Sequence, residues 1–117
     1  MKTLSRDDLL SLAFVFISYL FRETTIHVQR IFLFGSVARG DFDEDSDIDL
    51  FIDTSKTFEQ ETSKKVERAL KRFTLLEQKK WNLKGISNPL NVKVGVLKEW
   101  ELQESVEKEG IVLYSPS

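Results

Sequence analysis

Between positions 9 and 21 apolar side chains stand almost without interruption, broken only by Ser11 and Ser18. Ser5 with Asp8 three residues on is a capping-box pattern, so this run is expected to open as a helix reaching about Phe21. Residues 28–34 (VQRIFLF) are β-branched and aromatic and stop at Gly35, which predicts a strand. Residues 48–52 predict a second. Thr57 with Gln60 gives another capping-box pattern. Beyond it Val66, Leu70, Phe73 and Leu76, with Ala69 beside them, recur at helical spacing to about Trp81. Residues 85–89 read as a turn, and 91–97 alternate, with Val92, Val94 and Val96 on one face of a third strand. A short helix over 98–109 meets Gly110 at its C-terminal cap, and residues 111–114 form a last strand. The order α-β-β-α-β-α-β predicts an α/β (α+β) fold, a mixed β-sheet with helices packed on one face.

Length and composition narrow the chemistry. The 117 residues suit one domain, 1–117, and 41% of them are hydrophobic, too many for a disordered chain. There is no cysteine, which excludes disulfides, thiolate metal sites and thiol nucleophiles; the one histidine, His27, argues against a multi-histidine zinc site. The apolar run at 9–21 is shorter than the roughly 20 residues a bilayer crossing needs. Asp7 and Asp8 sit where a signal peptide carries positive charge, so a soluble, cytoplasmic protein is expected.

The formal net charge of −2 hides a segregation. Residues 41–62 hold nine acids against Lys56, whereas 64–84 hold eight bases against Glu67 and Glu77. Lys64, Lys65, Arg68, Lys71 and Arg72 read as a solvated helix face. Direct nucleic-acid binding is not expected of a chain this acidic overall, because phosphate contacts dominate such affinity.

The stretch richest in chemistry is Phe34-Gly35-Ser36-Val37-Ala38-Arg39-Gly40, followed by Asp47-Ile48-Asp49. In the first part a strand ends in Gly-Ser and a short helical turn begins. Gly35 allows close backbone approach, and Ser36 offers a hydroxyl where unpaired helix amides point outward; together they sketch a phosphate cradle. Gly40 lets the chain turn out, and Arg39 is expected either to neutralise a phosphate or to face solvent. In the second part Asp47 and Asp49 are two apart on a strand and share a face, with Ile48 and Leu50 turned to the core. Two adjacent carboxylates repel unless a cation lies between them, and Mg²⁺ or Mn²⁺ favours such oxygen ligands together with substrate phosphates. The acids at 41, 43, 44 and 45 do not make a calcium loop, since Ser46 stands where the turn glycine belongs and Ile52 where the bidentate acid belongs.

Gly35-Ser36, ten intervening residues, then Asp47-Ile48-Asp49 resembles the GSx10DxD pattern of the DNA polymerase beta-like nucleotidyltransferase superfamily. The wording FGSVARGDFDEDSDIDLFID is similar to its small stand-alone members, the minimal nucleotidyltransferases, as is the closing EGIVLY at 109–114. The resemblance implies a Mg²⁺-dependent enzyme moving a nucleoside monophosphate, AMP from ATP, to a hydroxyl acceptor. It implies Asp47 and Asp49 as catalytic metal ligands and Gly35 and Ser36 as phosphate binders. It also implies the antitoxin role of a toxin–antitoxin pair, with a small helical HEPN-domain protein as partner.

One departure stands out. Members of the superfamily usually carry a third carboxylate on a neighbouring strand, but the polar face of 91–97 presents Asn91, Lys93 and Gly95. Lys93 is expected either to hold the triphosphate or to salt-bridge an aspartate, and its charge disfavours a second metal ion. Asp53 lies about 20 Å along from Asp47 at strand rise; Glu99 and Glu101 follow the strand. The alternative expectation is therefore a nucleotide-binding antitoxin or interaction subunit with weak turnover. The first helix is apolar around nearly its whole circumference, more than one side of a sheet requires, so a second copy or the helical partner is expected to cover its far side.

Overall fold

The computed structural model describes residues 4–116. Helix α1 (Arg6–Glu23) begins at the predicted box: the Asp8 N–H donates to Ser5 Oγ and the Ser5 N–H to the Asp8 carboxylate, both at 3.2 Å. Strand β1 (Arg30–Phe34) leads into the five-residue helix α2 (Gly35–Arg39), and β2 (Ile48–Asp53) follows. The long helix α3 (Glu59–Leu83) carries the chain to β3 (Leu90–Gly95), and α4 (Gln103–Glu109) precedes β4 (Ile111–Tyr114).

The strands form one mixed sheet in the order β3-β2-β1-β4. β1 is antiparallel to both β2 and β4, and β2 is parallel to β3. A parallel pair needs a crossover of a dozen or more residues, and α3 supplies it. β2 is therefore a central strand.

Helices α1 and α3 cover one face over the main core, in which Leu9, Phe16, Leu20, Ile31, Leu33, Leu50, Ile52 and Phe73 are buried. The Phe16 and Phe73 rings meet edge-on at 5.3 Å, a favoured aromatic geometry. Strand alternation sends Phe32 and Phe51 to the other face, where a small second cluster with Leu97 and Val106 lies under α4. Asp49 and Asp53 share parity with Phe51, so this smaller face is the one that carries the acids.

Four local expectations change. β1 starts at Arg30 rather than 28; Gln29 still donates its N–H to the Asp53 carbonyl at 2.7 Å. Thr57 caps nothing, because the chain is already turning there: a 3₁₀ turn, Lys56–Phe58, precedes α3 and makes Phe58 the cap. The helix expected over 98–109 splits into a 3₁₀ turn, Leu97–Glu99, and α4, since Trp100 adopts extended backbone and lays its ring on Phe51. Leu76 is 67% exposed, because the buried stripe of α3 runs from Phe73 past Glu77 to Trp81. Gly110 does cap α4, but with a φ of −72°. Its need for glycine is steric, as a Cβ there would overlap the Val106 carbonyl oxygen.

Candidate functional site

The Gly-Ser turn and the paired acids meet in space. Phe34, the last residue of β1, is the register partner of Asp49 on β2, so the chain turns into α2 directly beside that aspartate. Gly35 has φ +75°, and a Cβ built there would overlap Asp49 Oδ2. Glycine is thus required twice, by backbone conformation and by the carboxylate pressed against it. Ser36 follows, half-buried, in the first turn of α2. Gly40 closes the turn with φ +88°, its N–H donating to the Ser36 carbonyl at 2.9 Å. The Arg6 guanidinium, from the start of α1, donates to the Ala38 carbonyl and ties α2 down.

The loop between the two motifs is built rather than slack. The Asp43 carboxylate accepts from the Asp45 N–H at 2.8 Å, and Ser46 Oγ accepts from the Asp43 N–H at 2.9 Å. Asn88, buried, donates its side-chain amide to the Asp43 and Ser46 carbonyls at 3.1 and 2.7 Å. Asp47 sits exposed one residue before β2, and Asp49 half-buried within it.

Asn91 is the register partner of Asp49 across β3, and its amide donates to Asp49 Oδ1 at 2.8 Å. Lys93 lies one step further, opposite Phe51, and is exposed. The position facing Asp49 is therefore taken by an amide and not by an acid. Burial raises the Asp49 pKa above its ordinary value, and the charge of Asp47 adds to that. The Asn91 hydrogen bond and the charges of Lys93 and Arg39 work in the opposite direction. Arg39 itself pairs with Asp41 at 3.4 Å and with Glu109 at 3.7 Å, all three exposed.

Among the described residues no group of three His, Cys, Asp or Glu side chains converges on a metal position. Asp53 is spent elsewhere: Oδ1 accepts the Leu97 N–H at 2.9 Å and Oδ2 faces the Arg30 guanidinium at 3.7 Å. Glu99 pairs with Lys56 at 3.3 Å. The donor set that remains, two mutually repelling carboxylates beside the Gly-Ser turn, fits a hard divalent cation that shares its ligands with a triphosphate. It does not make a closed protein cage.

Two contributors escaped the sequence reading: Asn88 as the anchor of the acidic loop, and the clearance Gly35 gives Asp49. Of the two polar residues expected on the neighbouring strand, it is Asn91 and not Lys93 that faces Asp49. The signal that could have found Asn88 is Asn88-Pro89-Leu90-Asn91, two amides at the mouth of a strand beside a charged loop. A cavity of about 510 Å³ is found away from this site. It lies on the helix-covered side, floored by Leu12, Phe73, Trp81, Ile86 and Leu90, and holds none of the motif residues.

A mixed four-stranded sheet with a Gly-Ser turn packed against an acid pair at the start of a central strand is the architecture of a nucleotidyltransferase domain. The Nucleotidyltransferase domain profile matches residues 18–113, and the chain belongs to that family. Among solved structures it is similar to a toxin-antitoxin with AMP-PNP, at 18% identity and a TM-score of 0.50, over 97% of this chain and 76% of that one. It is also similar to a mutant of the toxin-antitoxin MntA-HpeT, at 16% identity and a TM-score of 0.48, over 97% and 75% of the two chains. No curated protein matches the sequence. No helix among the described residues is long and apolar enough to cross a membrane.

Proposed function

We propose that residues 1–117 act as one domain that transfers a nucleoside monophosphate, AMP from ATP, to a hydroxyl acceptor, with Mg²⁺ or Mn²⁺ as cofactor. The carrying observation is the packing of Gly35 against Asp49, which joins the phosphate-binding turn and the acid pair into one site. Gly35 and Ser36 hold the triphosphate through backbone amides and a hydroxyl. Asp47 and Asp49 hold the cation, which when bound neutralises phosphate charge and polarises the reacting phosphoryl group. Lys93 and Arg39 stabilise phosphate charge from either side. Arg39 is free to do so because its present ion pairs are exposed, a class worth about 0–1 kcal/mol. In the reaction the acceptor oxygen bonds to the α-phosphorus, the bond to the bridging β-phosphate oxygen breaks, pyrophosphate leaves, and the hydroxyl proton passes to solvent.

One solved neighbour is a toxin-antitoxin with AMP-PNP, which supports an antitoxin role and a protein partner for this chain. The outer side of α1 leaves Phe14 and Val15 exposed at 46% and 40%, and a HEPN-type helical protein or a second copy would cover them. Such a pair would operate in the cytoplasm, where ATP is abundant. A second reading, nucleotide binding with weak turnover, is favoured by one observation. Asn91 cannot ligate with a negative charge or accept a proton as the usual third acid would.

ATP labelled at the α- or the γ-phosphate separates the readings when incubated with Mg²⁺ and the helical partner. Transfer predicts α-label on the acceptor and none from γ. Binding without turnover predicts neither label but heat on titration with Mg-ATP. No heat at millimolar nucleotide would overturn both.

A further inference from the structure

The sheet face that carries Asp49 also carries an aromatic step. Phe32, Phe51, Leu97 and Val106 are buried there, while Phe34 and Trp100 pack against them and stay partly exposed. The Trp100 ring lies over Phe51 at 4.5 Å, tilted by 15°, and meets Phe34 at 5.4 Å and 80°. One side of the indole is thus covered by Phe51; among the described residues no ring covers the other.

Its position relative to the acids follows from the register. Phe34 is the cross-strand partner of Asp49, and Phe51 is the next residue of β2 on the same face, about 7 Å further along. Lys93 stands opposite Phe51 on β3. Passing from the Gly-Ser turn and Asp49 toward Asp53, the surface changes from phosphate chemistry to a level that holds both Lys93 and the partly exposed indole. A nucleotide likewise carries charged phosphates at one end and a flat π-system at the other.

We propose that Trp100 is the nucleobase platform of this site, stacking a purine on the side of its indole away from Phe51. The inference rests on the nucleotide-binding reading above. Phe51 and Phe34 act as positioning residues, holding the indole from behind and from its edge. A purine is the class expected, because stacking rewards the larger π-surface and no base edge has to be read.

The test uses the two tryptophans. Trp81 is buried with its indole N–H unpaired among the described residues, so Trp81→Phe removes an unsatisfied donor and leaves Trp100 as the sole reporter. In that background Mg-ATP is expected to quench the Trp100 emission, whereas Mg-tripolyphosphate binds by calorimetry without quenching. Mg-CTP is expected to bind more weakly than Mg-ATP. Trp100→Ala should weaken Mg-ATP about tenfold, within the range for losing one stacked base, and leave tripolyphosphate affinity unchanged. Trp100→Phe, which keeps a ring on Phe51, should recover most of the loss. Mg-ATP binding without quenching, or an equal loss of ATP and tripolyphosphate affinity in Trp100→Ala, would overturn the platform while leaving the nucleotide reading intact. Failure of both ligands to bind the parent protein would overturn both.

Discussion

Asp49 and Asp53 leave the same face of the same strand, four residues apart, and have opposite fates. Asp53 is 4% exposed, and its carboxylate is used up by the Leu97 N–H and the Arg30 guanidinium. Asp49 accepts one amide hydrogen from Asn91, keeps its second oxygen against Gly35, and is pushed up in pKa by burial. The first acid ties the 3₁₀ turn after β3 to the sheet. The second is held in a state it would rather leave, which a bound cation would relieve. Residue type and strand parity are shared, so the difference comes from the donors each end of the strand supplies.

Breaking the acid proposed to hold the cation has the largest expected effect. Asp49→Asn should lower nucleotidyl transfer by about a hundredfold or more, at or beyond the upper end for losing a mere outer-shell partner. It should also make the fold more stable at neutral pH. The sign follows from the raised native pKa: between the unfolded value near 3.9 and the native one, the native state binds more protons. Parent stability therefore falls as pH rises through that window, relative to Asp49→Asn, and the gap stays constant above it. Urea unfolding of both proteins from acid to neutral pH measures this.

Asp53→Ala is the mirror experiment. It leaves the Leu97 N–H and Arg30 without their buried partner and should cost about 1–3 kcal/mol in denaturant unfolding, with Mg-ATP affinity of the folded protein kept. Asn91→Asp sharpens the contrast from the other strand. It restores a third acid opposite Asp49, so Mn²⁺ binding without nucleotide should strengthen about tenfold, roughly the weight of one well-placed ligand partner. Without metal the same variant should lose about 1 kcal/mol, because a hydrogen bond becomes a like-charge contact, and added Mn²⁺ should return that loss. Smallest of all is Thr57→Ala, expected within about 0.5 kcal/mol of the parent, since its hydroxyl caps no helix.

These contrasts also show what could be read from sequence. The box at Ser5 and Asp8 was legible because capping is local, and the four strands because their periodicity is. The candidate site was legible as far as the meeting of the Gly35-Ser36 turn with Asp47 and Asp49, whose spacing carries a resemblance. Thr57 misled for a tertiary reason, the turn at 56–58 that comes before the helix. Leu76 misled because a 3.6-residue stripe drifts, leaving it on the outside of α3 while Trp81 is buried. The different fates of Asp49 and Asp53 were not legible at all. They depend on Asn91 and Leu97, more than forty positions away and brought in by the parallel pairing of β2 with β3.

The most direct test is calorimetric titration of Mg-ATP into three proteins: the parent, Asp49→Asn and Asp53→Asn. Asparagine at 53 can still accept the Leu97 N–H, so that variant is expected to fold and to bind nucleotide as the parent does. The account predicts binding by the parent and by Asp53→Asn, and none by Asp49→Asn. Equal binding by all three, or loss in Asp53→Asn with retention in Asp49→Asn, would contradict it.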